Sequence, residues 1–231
     1  MSVRVSRSRA VGQLVLDRPD RAHAYDRAML DALLAGANEL AANCTVIVVS
    51  STGQRAFCGG ADLRAMPAAS PLDALDLWSQ RVFTAISRLP AVSIAAVQGP
   101  AVAGGCELAL ACDLRVVGPR ASFSLPETRL GILPSAGGTT RLARLVGVSR
   151  AKALILGGDQ LDAPTALAAG LANRLAEDPL AEALSWAEAI CLRDPAALRL
   201  AKATLDAEES AASLARERTA EAILYSRRPP R

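Results

Sequence analysis

Apolar residues recur along this chain with two periods, and the changes of period mark its elements. Val3 and Val5 alternate with polar neighbours, which predicts a first strand. Gln13 to Leu16 predicts a second, ended by the turn DRPDR. Then the spacing lengthens: Met29, Leu30, Leu33, Leu34, Ala37 and Leu40 fall on one helical face, with Asp26 as N-cap. TVIVVSS reads as a buried strand. A second amphipathic helix is expected to start at Ser70-Pro71. It would turn Leu75, Trp78, Val82, Phe83, Ile86 and Leu89 inward before Pro90 ends it. VSIAAV and LRVV read as further strands, and the remainder is mostly helical.

One unit repeats within this pattern. CGGADL at Cys58 to Leu63 and AGGCEL at Ala103 to Leu108 share two glycines, a small residue, an acid and a leucine. Each follows a strand and a glycine turn, and SAGGTTRL is a looser third copy without the acid. Repetition at this interval predicts an α/β chain built as stacked turns of one superhelix rather than a doubly wound sheet. No linker-like segment divides it. The expected organisation is a spiral core over 1–173 and a helical C-terminal region over 174–231.

Glycine pairs at helix starts have two readings. They are tight turns and packing sites, or they expose the first N–H groups of a helix, which have no partner inside it. Two such starts aimed at one point would polarise a carbonyl and stabilise the oxyanion formed from it. Glu107 sits inside the small apolar run AVAGGCELALACD, where a lone carboxylate is costly unless paired or hydrogen-bonded. It is either salt-bridged, to Arg115 or Arg129, or a general acid/base. Glu127, in FSLPETRLG, follows Pro126, which suggests a fixed turn. Two glutamates from successive turns would hold one water between them.

Composition narrows the classes. A net charge of +3 with dispersed positive residues argues against a nucleic-acid partner. No apolar run reaches membrane-spanning length, and no apolar block follows the arginines of the first ten residues, so neither a membrane segment nor a secretory signal is expected. The five cysteines lack CxxC or disulfide spacing and read as small buried residues in a reducing, cytoplasmic setting. With His23 the one histidine, a histidine-rich metal site and a Ser-His-Asp triad are poor fits, and no metal is expected.

Several segments together resemble the enoyl-CoA hydratase/isomerase (crotonase) superfamily. These are LDRPDRAHAYDRAMLDAL, AFCGGADL, AVQGPAVAGGCELALACDLRV, FSLPETRLGILPSAGGTTRLARLVG, LDAPTALAAGLAN and DPAALRLAKATL. The resemblance implies a crotonase-like ββα superhelix, a homotrimer or dimer of trimers, and an acyl-CoA substrate whose coenzyme A is part of the substrate, with no separate cofactor. It implies enoyl-CoA hydratase activity, with Glu107 and Glu127 as the catalytic acids and the N–H groups of Ala61 and Gly104 as the oxyanion hole. Ala22, Ala24, Gly60, Asp62, Leu63 and Arg64 would lie along the bound substrate and its coenzyme A arm. The alternatives are a 3,2-enoyl-CoA isomerase acting chiefly through Glu127, another crotonase-type acyl-CoA enzyme, or a non-catalytic acyl-CoA-binding protein. Where the family usually has Asn-Ala-Leu this chain has His23, Ala24 and Tyr25, and His23 is expected to hydrogen-bond the turn. The family's last helical segment is shortened at ERTAEAILYSRRPPR, and the short Met66–Trp78 segment suggests an open site for a branched or cyclic acyl group.

Overall fold

The computed structural model describes residues 2–64, 75, 77–205, 218, 219 and 222. Its strands are β1 (Val3–Ser8), β2 (Val11–Leu16), β3 (Val46–Ser51), β4 (Val92–Val97), β5 (Pro100–Val102), β6 (Leu114–Val117), β7 (Ser122–Ser124), β8 (Leu161–Asp162) and β9 (Arg174–Leu175). Its helices are α1 (Arg27–Ala41), α2 (Trp78–Ser87), α3 (Gly104–Ala111), α4 (Gly138–Val146), α5 (Val148–Lys152), α6 (Ala163–Ala168), α7 (Pro179–Cys191) and α8 (Pro195–Leu205). Short 3₁₀ turns cover Pro19–Arg21 and Pro126–Leu130, and a π-helical turn covers Ala153–Gly157.

The large sheet runs β1-β2-β3-β4-β6-β9, antiparallel between β1 and β2 and parallel beyond. A parallel sheet is covered on both faces, which is why TVIVVSS carries no polar face. Ile47 and Val49 of β3 join the core formed with Met29, Leu30 and Leu33 of α1. Val46 and Val48, pointing the other way, pack with Ala183, Ala187 and Ile190 of α7. Asp26 caps α1 as its sequence suggests, its side chain accepting from Met29 N–H.

One expected burial is corrected. Leu75 is 45% exposed rather than turned inward. Trp78 is half-buried, while Val82, Phe83, Ile86 and Leu89 are buried. The expected helix start at Ser70-Pro71 lies outside the described residues.

A second sheet, β5-β7-β8, positions the chemistry. β5 and β7 are parallel, with Val102 opposite Ser124. The two segments that follow, α3 with Glu107 and the Pro126 turn with Glu127, therefore leave the sheet side by side. Cys44, Cys58, Cys106 and Cys112 are buried free thiols and Cys191 is half-buried. Burial pushes the thiols of Cys58 and Cys112 up to about 12, which keeps them protonated. Among the described residues no helix is long and apolar enough to cross a membrane.

Candidate active site

The start of α3 is reached through a constrained residue. Ala103 has φ 53° and ψ −127°, a backbone shape that favours glycine. It is tied at both ends: its N–H donates to Ser124 O at 2.9 Å and its C=O accepts from Glu107 N–H at 3.1 Å. Ala103→Gly is expected to stabilise the fold by about 1 kcal/mol. The check is a rise in the denaturation midpoint at unchanged slope.

The Cys58–Asp62 segment lies directly against this helix start. A Cβ on Gly105 would overlap the Cys58 carbonyl oxygen, and one on Gly60, at φ 89°, would lie 3.2 Å from Gly104 N. Tyr25 brackets the segment from behind. Its N–H donates to Gly60 O and its C=O accepts from Asp62 N–H, both at 2.8 Å. The pairing leaves the Ala61 N–H pointing to the opposite side. Neither Ala61 nor Gly104 donates a backbone hydrogen bond among the described residues. Close packing at the glycines thus sets the Cys58–Asp62 segment against the start of α3.

The carboxylate of Glu107 reaches the third glycine pair. Its Oε1 accepts from Ala136 N–H at 2.7 Å and Gly138 N–H at 2.9 Å. Gly138 opens α4, so a buried charge meets the positive end of a helix. A Cβ on Gly138 would lie 2.8 Å from that oxygen, so this glycine makes the room. The looser third copy of the repeat therefore serves as the socket for the acid of the second. Among the described residues, Arg115 and Arg129 have other partners: the Arg115 guanidinium binds the carbonyls of Leu171, Ala109, Cys112 and Asp113, and Arg129 points to Gly158 O. Glu127 is 6% exposed in the Pro126 turn, which Gly131 closes in the left-handed conformation. Thr128 ties that turn to Ile155 O at 3.0 Å.

Both acids act electrostatically on Tyr25. Burial first, then the charge of Glu107 and further the charge of Glu127, hold its hydroxyl well above the ordinary tyrosine range. Both glutamates also act on the buried Cys106 thiol. Cavities of about 820 Å³ beside α5 and about 520 Å³ beneath α8 touch neither glutamate.

The remaining residues singled out in the sequence lie around this centre. Ala22, in the left-handed conformation, accepts Gly59 N–H through its carbonyl at 2.8 Å. Ala24 O accepts from Arg18 at 2.8 Å. Asp62 is buried and accepts from Arg18 and from Arg64 N–H, both at 3.2 Å, so its carboxylate shapes the segment from within. Leu63 and Arg64 are exposed beside it. His23 is buried, with both ring nitrogens engaged in the turn. Arg18 N–H donates to Nδ1 at 3.1 Å, so the ring proton sits on Nε2 and donates to Thr52 O at 2.8 Å.

Burial lowers the His23 pKa below 6.5, which sets a pH dependence. The unfolded chain binds this proton more readily, so His23's contribution is complete above about pH 6.5 and is lost as the pH falls through the lower folded value. His23→Asn is expected to flatten that limb of the stability–pH curve, measured by denaturation at each pH.

Sequence reasoning missed the supports of the Glu107 socket. Arg141 is buried and donates to Ala136 O at 2.9 Å and to Thr84 and Ser87, and Gln80 donates to Ser135 O at 2.6 Å. Arg141 lies beside the fully buried Leu142. An arginine next to an inward position of an amphipathic helix was the available signal.

Comparison with known proteins identifies the family. The family model described as enoyl-CoA hydratase/isomerase matches residues 6–229. A protein of Mycobacterium tuberculosis described as a probable enoyl-CoA hydratase is 36% identical over 234 residues, covering 98% of this chain and 87% of its own. The 2,3-dehydroadipyl-CoA hydratase of Escherichia coli is 37% identical, covering 93% of this chain and 86% of its own. A crystal structure of an enoyl-CoA hydratase from Bacillus anthracis superposes with a TM-score of 0.85 at 33% identity, covering 97% of this chain and 90% of that one.

Proposed function

This chain belongs to the enoyl-CoA hydratase/isomerase family and has the crotonase fold, and we propose that it reversibly adds water across the 2,3 double bond of a 2-enoyl-CoA thioester. The observation that supports this reading is the pair of buried glutamates, Glu107 and Glu127, on segments that follow the parallel strands β5 and β7. In this reading the thioester carbonyl lies against the N–H groups of Ala61 and Gly104. Water attacks C3, the electron pair of the double bond moves toward the carbonyl oxygen, and the two donors meet the charge that develops there. Glu107 takes the water proton and Glu127 delivers one to C2. The reverse transfers remove water.

The socket fits the first role: a carboxylate fixed by two backbone donors holds its orientation while a proton arrives. Leu63 and Arg64 would border the coenzyme A arm, with Ala22, Ala24, Gly60 and Asp62 shaping the wall behind it. Coenzyme A enters as part of the substrate, and no other cofactor has a role. A homotrimer or dimer of trimers in the cytoplasm belongs to the same proposal.

The test is mass spectrometry of a panel of 2-enoyl- and 3-enoyl-CoAs incubated with the protein. Gain of one water by 2-enoyl-CoAs supports the proposal. Isomerisation of 3-enoyl-CoAs without mass gain replaces it with the isomerase reading, and acyl-CoA bound without product replaces it with a binding protein.

A further inference from the structure

Tyr25 is placed as a member of the site rather than as filling beside it. Its main chain is fixed to Gly60 and Asp62 on either side of Ala61. Its ring stands edge-on to Phe83, with centroids 5.6 Å apart at 90°. The hydroxyl ends against Gly104: a side-chain carbon on that glycine would overlap it. A Cβ at a helix start points back toward the N-terminal end, so the hydroxyl occupies the same end of α3 as the Gly104 N–H.

The hydroxyl is also oriented. It is hydrogen-bonded to the Ser79 side chain. Two hydroxyl groups carry two protons, and a bond between them uses one. The other requires an acceptor. With Ser79 donating to the phenol oxygen, the phenolic proton is left for another acceptor. Burial and the two glutamates keep the phenol protonated, so it is a donor at every working pH.

We propose that the Tyr25 hydroxyl, oriented by Ser79, is a third hydrogen-bond donor to the thioester oxygen, beside the N–H groups of Ala61 and Gly104. No proton is transferred: the phenol keeps its proton and shares it more strongly as charge grows on the oxygen. This rests on the hydratase reading. Because the bond strengthens as the reaction proceeds, its loss falls on kcat more than on KM.

The test uses the intact protein, Tyr25→Phe and Ser79→Ala. Each is assayed for water addition to a 2-enoyl-CoA, with the carbonyl stretching frequency of a bound saturated acyl-CoA as a second readout. Tyr25→Phe is expected to lower kcat about 10- to 100-fold with KM little changed. The bound carbonyl stretch should rise toward its value in free solution. Ser79→Ala, which keeps the phenol but removes its orienting group, should move both readouts the same way by less. Equal kcat and an unmoved carbonyl stretch in Tyr25→Phe, with the parent protein active, overturn the role of Tyr25 and leave the hydratase reading standing. A parent protein that adds no water to any 2-enoyl-CoA overturns the reading beneath it.

Discussion

Glu107→Gln is expected to lower kcat for water addition by about 10³-fold with the fold intact. The amide keeps an oxygen where Oε1 now accepts from Ala136 and Gly138. The socket and the start of α4 therefore remain satisfied, and the unfolding transition should move little. The amide cannot take a proton from water, so the chemical step is lost while acyl-CoA binding survives. Steady-state kinetics on a 2-enoyl-CoA, with binding of a saturated acyl-CoA measured alongside, separates the two. A variant that binds and turns over normally would remove Glu107 from the chemistry and leave it as a helix cap.

The second large effect comes from a single methyl group. Gly105→Ala would set a Cβ against the Cys58 carbonyl oxygen, a backbone atom that cannot step aside as a side chain would. Either α3 or the Cys58–Asp62 segment must move. The expected cost is about 3 kcal/mol, the upper part of the range for overpacking a well-filled interior. Any movement that relieves the clash also separates Ala61 from Gly104. Activity should therefore fall further than the folded fraction does. Denaturant titration and kinetics on the same sample provide the comparison, and equal losses would mean that this packing serves stability alone.

The glutamates and the glycine pairs were legible in the sequence because repetition and composition are local signals. Glu107 stood out as one charge in a small apolar run, and Asp26 as a cap before a periodic face. VSIAAV and LRVV were legible because a buried parallel strand is apolar throughout. What joined these pieces was not. Ala136 and Gly138, which donate to Glu107, lie 29 and 31 residues away, and the sequence offered Arg115 and Arg129 instead because opposite charge is the obvious partner for a buried acid. Backbone N–H groups at a helix start meet the same need, yet they look identical in every sequence. The β5–β7 pair, which sets the acids side by side, has strands of three residues each. Such strands are too short for any period to show. Tyr25 read as part of a turn, because only the folded chain lays its hydroxyl against Gly104.

Addition of solvent water to an enoyl thioester is tested by incubating the protein with a 2-enoyl-CoA in oxygen-18 water, followed by fragment mass spectrometry of the product. One labelled hydroxyl is expected at C3 of the acyl chain, formed by the parent protein and lost in both Glu107→Gln and Glu127→Gln. A product of unchanged mass with a shifted double bond, or no product from any 2-enoyl-CoA, would contradict it.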